Sequence, residues 1–269
     1  MLARGGDPPD PPGQDLPPLV AVAHGSRDPR AAATIEEVVD LVRARAARRG
    51  LAGLRISAAY LGHAAPSPAQ VLGALPAGPV VVLPLLLTGA YHSKTDLPAV
   101  LRAASARSGG ALQISYGDPL GPHPLLVTAL ERRLAEAGVL PGDPGTSVVL
   151  AAAGSSDPRA CAVVTRLAAQ WRARRGWRDV LPAYASAAAP PPGGAVSALL
   201  AGGARRVVVA SYLLAPGRFA GQVRDEALAA GAAAVSAPLG AAPELADVVL
   251  ARYAAARAGH AAAAAARIA

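Results

Sequence analysis

The residue types that can bind a transition metal or move a proton near neutral pH are few in this sequence and unevenly placed. Of its five histidines, His24, His63, His92 and His123 lie in the first half of the chain, and only His260 lies elsewhere, in an alanine-rich end. Neutral imidazole suits divalent Fe, Co, Ni and Zn, and it can also take up a proton. His24 directly follows the apolar run Leu19-Val-Ala-Val-Ala23 and precedes Gly25-Ser26. His92 comes after the apolar run 80–87 and the turn Thr88-Gly89-Ala90. This placement puts both at the carboxyl ends of neighbouring strands, where they could project into one cleft mouth. Two imidazoles without cysteine suit a metal delivered in passing rather than stored; taken singly, each could instead be a capping or hydrogen-bonded histidine. His63, in Gly62-His63-Ala64-Ala65-Pro66, and His123, in Gly121-Pro122-His123-Pro124, read as structural or rim residues.

Gly25-Ser26-Arg27 opens a helix, so backbone amides and the helix dipole would favour an anion there, with Arg27 adding a fork for a carboxylate or phosphate. Lys94, the sole lysine, stands near His92 as a second candidate for holding anionic substrate. A helix cap with a surface charge accounts for these residues equally well. No Walker lysine motif or Gly-x-Gly-x-x-Gly run occurs, and no carboxylate cluster for Mg²⁺ sits beside Arg27, so nucleotide binding and phosphoryl chemistry are disfavoured. The single cysteine, Cys161, excludes an internal disulfide and a thiolate metal site; a small buried side chain on a helix is expected. Net charge is +8, which favours an acidic partner, but runs such as Arg43, Arg45, Arg48 and Arg49 read as a solvated helix face.

The elements that must position these residues are written twice. His24-Gly25-Ser26-Arg27-Asp28-Pro29-Arg30-Ala31 is matched by Ala153-Gly154-Ser155-Ser156-Asp157-Pro158-Arg159-Ala160. Ala59-Tyr60 with Pro66 matches Ala183-Tyr184 with Pro190, and Pro119-Leu120-Gly121 matches Pro238-Leu239-Gly240. A repeat of this length indicates a duplicated domain rather than a solenoid. Each copy predicts strands at 19–23, 54–60, 80–86 and 114–116, or at 148–152, 180–184, 207–213 and near Val235. Helices are predicted at 31–49 and 125–137, or at 160–175 and 242–256, with others between. Continuous apolar strands alternating with helices predict α/β architecture: two similar domains, each a small parallel sheet flanked by helices, with a cleft between them. By register the histidines His24, His63, His92 and His123 correspond to Ala153, Ala187, Phe219 and Ala242, so the fold is duplicated and the histidine chemistry is not.

The expected domains are 19–140, carrying the active site, and 147–256, a degenerate copy. A disordered tail is expected over 1–18 and an alanine-rich tail over 257–269, with the tract from Ala254 to Ala269 expected to form an exposed helix. The uncharged stretch 71–90 approaches membrane-spanning length, but Gly73, Pro76, Gly78, Pro79 and Pro84 break it, so no span is expected. The first residues lack the apolar segment of a signal peptide, and a cytoplasmic location is expected.

Val22-Ala23-His24-Gly25-Ser26-Arg27-Asp28, then 82–87 with Gly89, His92, Asp96 and Pro98, resembles the sirohydrochlorin chelatases of the CbiX/SirB type. The second half, with Ser211-Tyr212-Leu213-Leu214-Ala215-Pro216-Gly217, resembles the carboxyl-terminal half of their long, duplicated form. The resemblance implies the class II chelatase fold and insertion of Fe(II) or Co(II), as metal substrate, into sirohydrochlorin, in sirohaem or cobalamin biosynthesis. It implies His24 and His92 as catalytic, metal-binding residues. It also implies a tetrapyrrole partner with many carboxylates, no tightly bound cofactor, no nucleic acid and no membrane, in a monomer or homodimer. Many members of the family carry an acidic residue where this chain reads Gly62-His63-Ala64-Ala65, so a metal-guiding carboxylate must come from elsewhere, or His63 takes that part. A non-catalytic metal- or tetrapyrrole-binding protein is the alternative expectation.

Overall fold

A computed structural model describes residues 16–89 and 97–265. Each half forms one four-stranded parallel sheet. The first holds β1 (Leu19–Ala23), β2 (Ile56–Tyr60), β3 (Gly78–Pro84) and β4 (Leu112–Tyr116) in the order β2-β1-β3-β4. The second holds β5 (Thr146–Ala152), β6 (Asp179–Tyr184), β7 (Arg206–Tyr212) and β8 (Ala234–Val235) in the order β6-β5-β7-β8. The central strands β1 and β5 are buried throughout. Leu19, Ala21 and Ala23 point to one face and Val20 and Val22 to the other, and both faces are covered. That is why the strand sequence is apolar without alternation.

Helices α1 (Pro29–Arg48), α2 (Pro68–Gly73), α3 (Leu97–Arg107) and α4 (Pro124–Glu136) follow the strands of the first half. Helices α5 (Pro158–Arg175), α6 (Pro192–Ala201), α7 (Arg218–Ala229) and α8 (Pro243–Ala265) follow those of the second. The start of α1 lies two residues before the predicted one because Pro29 occupies its first turn, where a missing N–H costs nothing. Buried Ile35, Val38, Val39, Val42 and Ala46 form the inward stripe of α1 at helical spacing. On α5, Gly176 at φ +69° ends the helix in the left-handed conformation.

The outer layers differ from the inner one. Helices α2 and α3 cover the outer face of the first sheet, and α6 and α7 that of the second. Between the sheets lie α1, α4, α5 and α8, in one continuous core that takes residues from both halves. Within it the closing helices are exchanged. Helix α8, from the second half, packs on β3, β4 and α1, while α4, from the first, packs on β7. The Ala256 side chain of α8 lies beside Gly117 and Leu83 of the first half.

Polar contacts fix this exchange. Arg45 of α1 and Arg49, which caps that helix, both reach the Asp247 carboxylate at 2.8 Å, and Arg132 of α4 pairs with Glu244 at 2.8 Å. The predicted solvated arginine face is therefore corrected at Arg45, half-buried where α8 crosses α1, while Arg43, Arg48 and Arg49 stay exposed. Glu131 is buried, and a buried carboxylate is costly unless its oxygens are bonded. Here Arg175 donates to both oxygens at 2.7 and 2.8 Å, and Trp171 Nε1 donates to one at 2.9 Å.

The tail expected over 1–18 lies partly outside the described residues; within them it is corrected. Leu16 packs on the core, the Tyr253 hydroxyl donates to the Pro17 carbonyl at 2.8 Å, and Val81 N–H donates to Pro18 O at 2.9 Å. At the other end the closing helix expected over 242–256 and the alanine-rich helix expected from Ala254 are one element, α8, which runs to Ala265 because the alanines favour helix and no proline interrupts them.

Candidate functional site

The carboxyl ends of β1 and β3 meet where the strand order of the first sheet reverses, the usual position of a ligand crevice in open parallel sheets. A cleft of about 860 Å³ opens there and is lined by both halves. His24 stands at the end of β1, exposed to the cleft. Its Nδ1 lies 3.2 Å from the Gly25 carbonyl. A carbonyl only accepts, so a hydrogen bond at this contact is one that Nδ1 donates.

The loops after β1 and β2 are locked together. Gly62 N–H donates to His24 O at 3.1 Å, and Leu61 N–H donates to Ala23 O at 3.0 Å. Gly25 has φ +87°, and a Cβ there would lie 1.8 Å from Gly62 O, so only glycine permits the approach. His63 follows, exposed, at φ +63°, and lines the same cleft. The structure thus brings His24 and His63 to one mouth. The second copy repeats the backbone: Ser186 N–H donates to Ala153 O at 3.0 Å, a Cβ on Gly154 would meet Ser186 O at 1.9 Å, and Ala187 has φ +57°. The geometry recurs there without the imidazoles. His92 and Lys94 lie outside the described residues.

Ser26 and Asp28 have structural duties. Ser26 Oγ accepts from Asp28 N–H at 3.1 Å, and the Asp28 carboxylate accepts from Arg30 N–H at 3.0 Å as the α1 cap. Arg30 also pairs with that carboxylate, and its hydrogen bond holds the carboxyl below its ordinary pKa. Ser155 and Asp157 repeat the cap on α5. The start of α1 therefore already carries an anion. Arg27 is exposed at the cleft and, among the described residues, no carboxylate engages it.

His123 is not brought to this cleft. Its Nδ1 accepts from Leu125 N–H at 3.2 Å as the cap of α4, and it lines a separate groove with Trp171, Arg174 and Arg175. Burial, then the Arg252 charge, lower its pKa, which favours the neutral ring that a cap requires. Because its folded pKa is depressed, the cap's contribution is present above the ordinary imidazole range. It is gone once the pH has fallen through the lowered value. His123→Ala is expected to cost about 1 kcal/mol of stability and to leave catalytic rates unchanged; urea unfolding and initial-rate assays check this.

Several cleft residues were not anticipated. Tyr60 and Tyr184 occupy equivalent places: the Tyr60 hydroxyl donates to Glu36 at 3.1 Å, and that of Tyr184 to Cys161 O at 3.0 Å. Burial and then Glu36 push the Tyr60 phenol up to about 12, so it remains a donor near neutral pH. The repeated Ala-Tyr signal could have indicated this pair. Cys161, expected to be buried, is half-buried at the cleft, its thiol donating to Ser155 O at 3.3 Å, because its side of α5 faces the opening rather than a strand. From the second half, Tyr212 donates to Leu87 O at 3.0 Å, tying β7 to the loop after β3. Gly217 lies beside Ser26 and Asp28, with Arg218 and Phe219 next to it at the mouth. No group of three or more His, Cys, Asp or Glu among the described residues is arranged to hold a metal ion.

Comparison with known proteins finds relatives of this sequence and fold. The chain is 30% identical over 148 residues to a sirohydrochlorin ferrochelatase of Bacillus subtilis (strain 168), covering 55% of each. It is 29% identical over 153 residues to a sirohydrochlorin cobaltochelatase of Priestia megaterium, covering 55% of this chain and 48% of that protein. The chain thus spans about half the length of the curated relatives it matches. The solved structure of SirB from Bacillus subtilis with Fe3+ has the same fold, with a TM-score of 0.76 at 24% identity, over 89% of this chain and 94% of that one. The CbiX family model matches twice, over residues 18–137 and 147–256, once on each copy, and the chain belongs to the CbiX family.

Proposed function

We propose that this protein inserts a divalent metal, Fe(II) or Co(II), into sirohydrochlorin. The observation that carries the reading is the one-sided cleft: the backbone of both copies lines it, and the copy that keeps imidazoles brings His24 and His63 to the same mouth. The names of the relatives support the reaction class: a ferrochelatase and a cobaltochelatase of sirohydrochlorin.

Insertion exchanges two pyrrole protons for one metal ion, so the site must present the metal and receive protons. A neutral imidazole can do either. His24 presents the metal from the cleft face, His92 is the partner that the family resemblance implies, and His63 takes the part of the acidic residue that the resemblance implies for this loop. Arg27 and Lys94 hold substrate carboxylates, with Gly25 and Ser26 shaping the loop beneath them. The macrocycle lies in the cleft between the halves. No helix among the described residues is long and apolar enough to cross a membrane. The reaction is assigned to the cytoplasm, and both walls of the cleft come from one chain, so a monomer suffices.

Anaerobic initial rates with sirohydrochlorin and Fe(II), Co(II) or Ni(II) test the proposal. Many turnovers per chain, above the spontaneous rate, are expected for at least one metal. Stoichiometric binding without turnover would leave the protein as a carrier and end the chelatase reading.

A further inference from the structure

The second copy has lost its histidines, yet it has not become inert at the cleft. Phe219, the only phenylalanine in the chain, occupies the register position of His92. It lies in the first turn of α7, four residues before buried Val223 and eight before buried Ala227. It therefore continues the apolar stripe of α7 past the edge of the sheet and into the opening. Trp171, Trp177, Tyr60, Tyr184, Tyr212 and Tyr253 are all buried, whereas Phe219 is 37% exposed. Tyr116 is the other exposed aromatic residue among those described, and it does not line the cleft.

Arg218 precedes Phe219, is exposed and lines the same opening. Among the described residues no carboxylate engages it. Gly217, at φ +148°, lies beside Ser26 and Asp28 of the first half, so the start of α7 abuts the start of α1 at the opening. Arg27 and Arg218 thus approach the mouth from opposite halves, with an open aromatic face beside one of them.

We propose that Phe219 and Arg218 form a substrate-holding wall, in which the Phe219 ring stacks on the face of a flat conjugated macrocycle and Arg218 grips one of its peripheral carboxylates. This rests on the chelatase reading and adds to it a role for the second copy. An aromatic face binds a conjugated ring by offset stacking, and a guanidinium takes a carboxylate by two parallel hydrogen bonds. Both contacts are made equally before and during metal entry, so they act on substrate affinity rather than on the chemical step.

The test is anaerobic titration of metal-free sirohydrochlorin into the full-length chain, followed by absorbance, with steady-state kinetics beside it. Phe219→Ala is expected to weaken binding about fivefold to tenfold and to raise KM by a similar factor, with kcat within about twofold of the parent's. Phe219→Trp should keep parental affinity, and Phe219→Leu should bind as weakly as the alanine variant. Arg218→Ala should weaken binding about tenfold and flatten its dependence on salt. Parental affinity in Phe219→Ala, or its full recovery in Phe219→Leu, would overturn the stacking role. Unchanged binding and salt dependence in Arg218→Ala would overturn the grip. If the parent chain itself fails to bind sirohydrochlorin, the chelatase reading falls and takes this wall with it. If the parent binds and the variants match it, only the wall is lost.

Discussion

His24→Ala is expected to lower metal insertion by about 10²- to 10⁴-fold, the range lost when a positioned proton-transfer group is removed, while the protein stays folded. The side chain is exposed at the end of β1 and is not part of any buried cluster. Its removal should therefore shift stability by no more than about 0.5 kcal/mol. Initial rates corrected for spontaneous insertion, with a thermal melt of the same sample, check both halves of this statement. In the proposed role the ring presents metal or receives protons, so the loss should appear in kcat with every metal that turns over. Parental rates in this variant would remove His24 from the chemistry.

Gly25→Ala should be nearly as damaging by a different route. The residue has φ +87°, and the added methyl would sit 1.8 Å from the Gly62 carbonyl. The left-handed backbone costs alanine about 1–2 kcal/mol and overpacking a further 1–3, so a loss of about 2–5 kcal/mol is expected in urea unfolding. The clash must also push the loop of His24 away from the loop of His63, so activity should fall further than the folded fraction does. Gly154→Ala supplies the comparison. At φ +89° its methyl would meet Ser186 O at 1.9 Å, which predicts a similar stability loss. The loops it separates carry Ala153 and Ala187, so the variant should keep far more activity under conditions where both proteins are folded. Equal activity losses would show that loop alignment is not what the first copy contributes.

Much of the fold could be read from the sequence because its signals are local and repeated. Buried runs such as 19–23 end at Gly-Ser turns, and the recurrence of Asp-Pro-Arg-Ala sets two equivalent helix starts. The position of His24 followed from that order alone. The partnering of His24 with His63 did not, since it depends on Gly25 meeting Gly62 across two loops, a contact that spacing does not encode. The duties of Ser26 and Asp28 were half visible: a helix start was expected, but not that its own carboxylate already fills it. The second wall went unread because Phe219 entered the register only as a lost histidine. Repetition likewise reveals which elements exist, but not which sheet a closing helix covers. Asp247 meets Arg45 and Arg49 only because α8 crosses to the other half.

That crossing bears on how one wall could lose its imidazoles while the other kept them. Two unlinked copies of either half could trade helices in this way only as a twofold-symmetric pair, with one opening between two identical walls, so that every substitution appears on both. Tethering the copies end to end removes that restriction. Each wall can then drift on its own, while the traded helices still bind the lobes into a single folding unit. The proposed division of labour, one lobe for metal and the other for the organic ring, needs this freedom, and the tether supplies it without loosening the grip between them.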